Sequence, residues 1–143
     1  MNTDQRHEVR LERFIPGAPD AVFAAWLDPK IPGTPFHEHD RLIIDVRVDG
    51  LWFWQVRGNP HYGRFTEVVR GARIQQTWMS RSTLGEETTL TVDFVREGEG
   101  TRMRLVHAGF TTAGMAKAHD QGWNFLLGNF FVVFGGGTVV KKV

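Results

Sequence analysis

The sequence predicts an α+β domain in which a curved, mostly antiparallel sheet closes around one long C-terminal helix. Three observations carry that prediction. Between about residues 38 and 108 nearly every segment either alternates apolar and polar side chains or is a turn. An aromatic-rich stripe at helical spacing then runs from about Ala113 to Phe134. Strands come first and the long helix last, an order that belongs to segregated α+β architectures.

The elements follow in chain order. Glu8 to Ile15 reads as a strand, with Val9, Leu11 and Ile15 on one face and Arg13 sharing their parity. Pro16-Gly-Ala-Pro19 ends it, and a short helix runs from Pro19 to about Leu27, with proline tolerated in its first turn. Three prolines and Gly33 make Lys30 to His39 a loop or broken turn. From Asp40 to Val48 the alternation is that of a strand, and Asp49-Gly50 predicts a two-residue type I′ hairpin. Its partner, Leu51 to Arg57, is apolar on both faces. A turn at Gly58-Asn-Pro60 leads to a strand from His61 to Arg70, and Gly71-Ala72 turns into another from Arg73 to Met79. On that strand Ile74, Gln76 and Trp78 share a face. A polar loop, Ser80 to Glu87, precedes Thr88 to Arg96, whose Leu90, Val92 and Phe94 point inward. Glu97 to Gly100 turns into a last strand ending at Phe110. On the long helix Met115, Ala118, Gly122, Trp123, Leu126, Phe130 and Val133 form the apolar stripe. Gly135 to Gly137 stops it, and the tail from Thr138 to Val143 either frays or adds a strand.

Size and composition bound the function. A chain of 143 residues reads as one domain, residues 1–143 with a core over 8–135. Its net charge of +1 offers no electrostatic footprint for nucleic acid or an anionic membrane. No apolar run reaches the length of a membrane span, and the polar N-terminus lacks a signal-peptide core, so the expected location is the cytoplasm. The absence of cysteine excludes disulfides, thiolate catalysis and cysteine-based metal sites. Eleven Phe and five Trp stand against one Tyr, so large rings either fill a core or line an apolar pocket.

Several segments together carry a family resemblance. They are Phe14-Ile-Pro-Gly-Ala-Pro19 with Ala21-Val-Phe-Ala-Ala-Trp26, Val48-Asp-Gly-Leu-Trp-Phe53, Gly63-Arg-Phe-Thr-Glu-Val68 and Arg73-Ile-Gln-Gln-Thr-Trp78. Gly100-Thr-Arg-Met-Arg-Leu105, His107-Ala-Gly-Phe110 and Gly122-Trp123 complete the set. In this order, over about residues 9 to 134, the chain resembles bacterial proteins related to the activator of the ninety-kilodalton heat-shock protein ATPase. Those proteins lie within the START-like (SRPBCC, helix-grip) superfamily. The resemblance implies a helix gripped by a curved sheet, with a cavity for apolar or amphipathic molecules. Two features depart from the family pattern. The Trp that usually follows the first helix is missing from Ile31 to His39, and a tri-glycine with a basic tail ends the chain.

The residues themselves leave alternatives open. His107 shares the inward parity of Met103 and Leu105, so it is either a ligand-binding or acid/base imidazole or a buried histidine satisfied by a neighbour. Arg13 either meets an anionic group inside or snorkels at the rim. His37-Glu38-His39 and His61 invite a metal reading, but the spacing demands no third ligand, and a solvated loop at the cavity entrance is favoured. His119 and Asp120 either face the cavity or form the polar edge of the helix. Trp52, Trp54, Trp78, Trp123 and Phe130 are candidates for an aromatic ligand lining, together with His107. No nucleophile elbow, P-loop or dinucleotide fingerprint is present. The expected function is therefore binding of a small hydrophobic or amphipathic ligand, as carrier or sensor, with no cofactor and no metal. Two alternatives stand beside it. One is an enzyme of the polyketide cyclase/dehydratase type using His107, Arg13 and His61, and the other is a chaperone-related interaction module. A homodimer is compatible with so small and aromatic a domain.

Overall fold

The computed structural model describes residues 6–135 and residue 139. Seven strands form one antiparallel sheet: β1 (His7–Ile15), β2 (Arg41–Ile44), β3 (Leu51–Val56), β4 (Asn59–Val69), β5 (Arg73–Ser80), β6 (Thr88–Glu97) and β7 (Gly100–Phe110). Their spatial order is β1-β7-β6-β5-β4-β3-β2, so only β1 is displaced from sequence order. Helix α1 (Pro19–Trp26) follows β1, and helix α2 (Ala113–Gly135) is the last element among the described residues. The expected sequence of strand, short helix, six strands and long helix is the observed one.

Alternation gives the sheet its inner face. Trp52, Trp54 and Val56 on β3, Ile74, Gln76 and Trp78 on β5, and Met103, Leu105 and His107 on β7 are all buried. A register shift between Phe65 and Glu67 bends β4, and such an irregularity increases local twist and curvature. Helix α1 packs against β6 and β7, where Phe23 meets Phe94 edge-on with ring centroids 5.4 Å apart. Helix α2 runs chiefly along β1, so it covers one side of the curved sheet more closely than the other.

The predicted Asp49-Gly50 hairpin is corrected by the observed register. Ile44 pairs with Trp52, so β2 ends early and a loop from Asp45 to Gly50 joins it to β3. Asp49 does adopt a left-handed φ of 67°, but Gly50 serves close approach instead. A Cβ there would lie 2.0 Å from the Asp45 carbonyl oxygen. The two-residue turn with both residues left-handed is Arg57-Gly58 (φ 47° and 76°), between the paired Val56 and Asn59. A non-glycine residue at its first position masked that signal in the sequence. The expected polar loop after β5 contains a single 3₁₀ turn, Arg81–Thr83, capped reciprocally by Ser80 and Thr83. Of the tail, only residue 139 lies within the described residues.

Candidate functional site

Two adjacent faces of α2 have different fates. Ala116, Trp123, Leu127 and Phe130 are buried, and the last three join the main core. Ala118, Gly122 and Leu126, one step round the helix, face a chamber instead. The chamber has a volume of about 620 Å³ and is partly open. Trp54, Trp78 and Trp123 line it, together with His61 from β4 and His119 from α2. Residues Pro32–Pro35, Arg57 and Ser80–Ser82 also contribute to its lining. Gly122 helps create the space, because a Cβ added there would meet no atom within 4 Å.

The walls are held by specific contacts. The Trp54 indole N–H donates to the Glu38 carbonyl (2.9 Å), and Phe36 packs edge-on against Trp54 at 5.4 Å. Trp54 also lies 4.8 Å from the His61 ring. Trp78 sits in the middle of the cluster, with Trp52 at 4.6 Å, Trp123 at 5.3 Å and His61 at 5.6 Å. Its indole nitrogen is buried without a protein hydrogen-bond partner.

The three histidines of this region differ in what their nitrogens do. His107 is fully buried. The Trp123 indole N–H donates to its Nδ1 (3.0 Å), which places the ring proton on Nε2. That N–H faces the Thr88 hydroxyl at 2.8 Å, and the hydroxyl in turn donates to the Trp78 carbonyl at 2.7 Å. Burial, with a smaller contribution from nearby His119, pushes the His107 pKa down to about 2. It is a neutral ring with both nitrogens occupied.

His61 and His119 are arranged otherwise. His61 Nδ1 lies 3.2 Å from the Trp54 carbonyl and 3.1 Å from that of Asn59. His119 Nδ1 lies 2.8 Å from the Met115 carbonyl, one turn back along the helix. A carbonyl only accepts, so in both rings the proton sits on Nδ1 and a neutral ring keeps a bare lone pair on Nε2. Burial lowers the pKa of each. For His61 the two carbonyls oppose that shift, and His119 and Arg57 add to it.

Of the residues singled out from sequence, Trp54, Trp78, Trp123 and His61 meet at the chamber. Trp52, His107 and Phe130 are fully buried behind its wall. Arg13 is half-buried on β1, where its guanidinium donates to the Asn124 side chain and to the Glu12 carbonyl. It is not part of the chamber lining. His37 and Glu38 reach the rim, with Glu38 paired to Arg57 at 2.9 Å, while His39 Nδ1 binds the Phe36 carbonyl. Among the described residues no three His, Asp or Glu side chains converge as a metal site would require. His119 joins the lining through a signal present in the sequence, its spacing of one turn from Trp123. Residues Ser80–Ser82 and the Pro32–Pro35 loop carried no such signal, because a fold and not a pattern brings loops together.

Comparison with known proteins agrees with this architecture. The family model described as Activator of Hsp90 ATPase homolog 1-like protein matches residues 17–135. Among solved structures, CalU16 from Micromonospora echinospora superimposes with a TM-score of 0.75 at 18% identity, covering 95% of this chain and 81% of that one. DynU16, from the dynemicin biosynthetic locus, gives 0.80 at 15% identity, covering 94% of this chain and 49% of that one. The Aha1 dimer from Colwellia psychrerythraea gives 0.71 at 16% identity, covering 92% and 99%. At these identities the likeness is one of fold. No curated protein matches the chain by sequence.

Proposed function

The chain belongs to the family of Activator of Hsp90 ATPase homolog 1-like proteins, and from that premise we propose that it binds one small apolar or amphipathic molecule in the chamber between sheet and long helix. The observation supporting this reading is the open space itself. Three tryptophans line it, and α2 presents Gly122 where a side chain would have filled it. Carriage or sensing is favoured over catalysis because, of the three groups the catalytic reading uses, only His61 keeps a free nitrogen at the chamber. His107 has no free nitrogen, and Arg13 is tied to Asn124 outside the chamber. No helix among the described residues is long and apolar enough to cross a membrane.

Self-association is a second reading, supported by one feature of the outer face. Ile43, Phe53, Tyr62 and Met79 lie opposite one another across four neighbouring strands, and Ile43 and Tyr62 are exposed. The Colwellia relative is described as a dimer.

One measurement addresses both readings. Native mass spectrometry of protein purified from its own host, followed by denaturing extraction, reports subunit number and bound molecules together. The expected result is a single apolar molecule per chain, lost in a Gly122→Phe variant that fills the chamber while keeping the helix. Protein that is empty in both forms would overturn the ligand reading, and a purely monomeric mass would remove the second.

A further inference from the structure

We propose that the occupant of the chamber is a hydroxyaromatic molecule, a phenol or enol whose hydroxyl donates to one of the two bare Nε2 atoms there, that of His61 or that of His119. This rests on the ligand-binding reading above and names the chemistry that the site selects. Each imidazole has spent its proton on a main-chain carbonyl, Trp54 and Asn59 for one ring and Met115 for the other. Both rings line the same chamber. What they offer a ligand is therefore a pair of acceptors and no donor.

Acceptors of this kind discriminate by charge and by proton. A buried neutral imidazole is pushed away from its charged form, so a carboxylate would meet lone pairs at both rings. The guanidiniums of the lining are already engaged, Arg57 by Glu38 and Arg81 by the Asn59 side chain. A cationic amine would suit the lone pairs, but Arg57 and Arg81 also contribute to the lining, and Glu38, the one acid there among the described residues, is already paired with Arg57. A neutral ligand with an acidic hydroxyl on an sp² carbon meets neither obstacle. Its flat ring fits between walls built from Trp54, Trp78 and Trp123, which favour offset or edge-to-face partners. His61 lies against the Trp54 ring at an interplanar angle of 34°, so its orientation is set before any ligand arrives.

The test compares three probes of one shape by isothermal titration calorimetry at pH 7.5: 2-naphthol, 2-methoxynaphthalene and 2-naphthoate. The hydroxyl is expected to improve affinity over its methyl ether by about tenfold, the effect of a well-made buried hydrogen bond. That preference should shrink to within about threefold in a His61→Phe/His119→Phe double variant, which keeps the rings and removes the acceptors. Equal affinity for naphthol and ether in the unaltered protein, or tighter binding of naphthoate, overturns the donor assignment and leaves the chamber reading standing. If none of the three binds, both fall. Because the decisive comparison uses unaltered protein, a variant that misfolds does not decide the outcome.

Discussion

The interior has two ends built from the same kinds of residue, and they are used differently. At the end beneath α1, Ile15, Val22, Ile74 and Val92 are completely buried, and Phe23, Trp26 and Phe94 fill the gaps between them. Trp26 touches Phe130 edge-on at 5.1 Å and lies near Trp123 at 6.2 Å. At the other end Trp54, Trp78 and Trp123 are just as aromatic, yet they stand around an open volume. Aromatic content therefore does not distinguish core from pocket here. The distinction lies in what α2 places opposite the sheet, a large ring at Phe130 or nothing at Gly122.

That contrast predicts unequal costs for the same truncation. Trp26→Ala removes a ring surrounded on all sides and should destabilise the protein by about 3–5 kcal/mol, as full-sized core cavities do. Trp54→Ala removes a ring with open space on one side, so fewer contacts are lost and the cost should be about 2 kcal/mol. Urea unfolding midpoints with unchanged slopes would measure both. Equal losses would mean that the chamber closes over Trp54 in solution and that the two ends are alike.

The histidines sharpen the comparison through pH. His107 belongs to the packed side, and His107→Leu strands the Trp123 N–H and takes a donor from the Thr88 hydroxyl, which keeps its bond to the Trp78 carbonyl, at an expected cost of about 2 kcal/mol at pH 7. Its folded pKa is depressed to about 2, below the unfolded value of 6.5. Below pH 6.5 the unfolded chain therefore binds a proton that the native ring refuses. The stability associated with the neutral ring is complete above 6.5 and is lost progressively as pH falls toward 2, by about 1.4 kcal/mol per unit. The leucine variant has no such loss. Its deficit should shrink below pH 6.5 and vanish near pH ~5, where the two unfolding curves cross. A deficit constant from pH 7 to 4.5 would show that His107 accepts a proton in the native state and that the packed side admits water.

These features were not equally legible in the chain. The order of elements along the chain, the single long helix and the inward parity of His107, Gln76 and Trp78 follow from period and spacing, because one buried face fixes which side chains point inward. The pairing of β1 with β7, by contrast, is set by the fold. The β2–β3 connection misled, since Asp49-Gly50 has hairpin composition but its geometry serves a carbonyl contact at Asp45, while the true turn begins with an arginine. Parity assigned Trp52 and Trp54 to one face but not to different depths, which depend on the path of α2 and of the loop carrying Phe36. The state of a histidine nitrogen is least legible of all. Nothing in the letters around His61 and His107 says that one keeps a lone pair and the other does not.

Gln76 marks the boundary between the two ends, and the smallest predicted effect locates it. It sits on the inward face of β5 between Ile74, on the packed side, and Trp78, on the chamber wall. The side chain is fully buried, and neither its oxygen nor its nitrogen has a protein hydrogen-bond partner. If the packed side extends to this residue, the amide is an uncompensated polar group in a dry interior. Gln76→Met keeps its length and shape and removes both polar atoms, so stability should rise by about 1 kcal/mol, the lower end of such a penalty. If water from the chamber reaches past Trp78, the amide is already satisfied by it, and the same substitution should lower stability by a similar amount. Thermal unfolding of the two proteins at pH 7.5 reads the sign directly. A rise places the dry boundary at Trp78, and a fall moves it inward to Ile74, enlarging the polar surface that a ligand would meet.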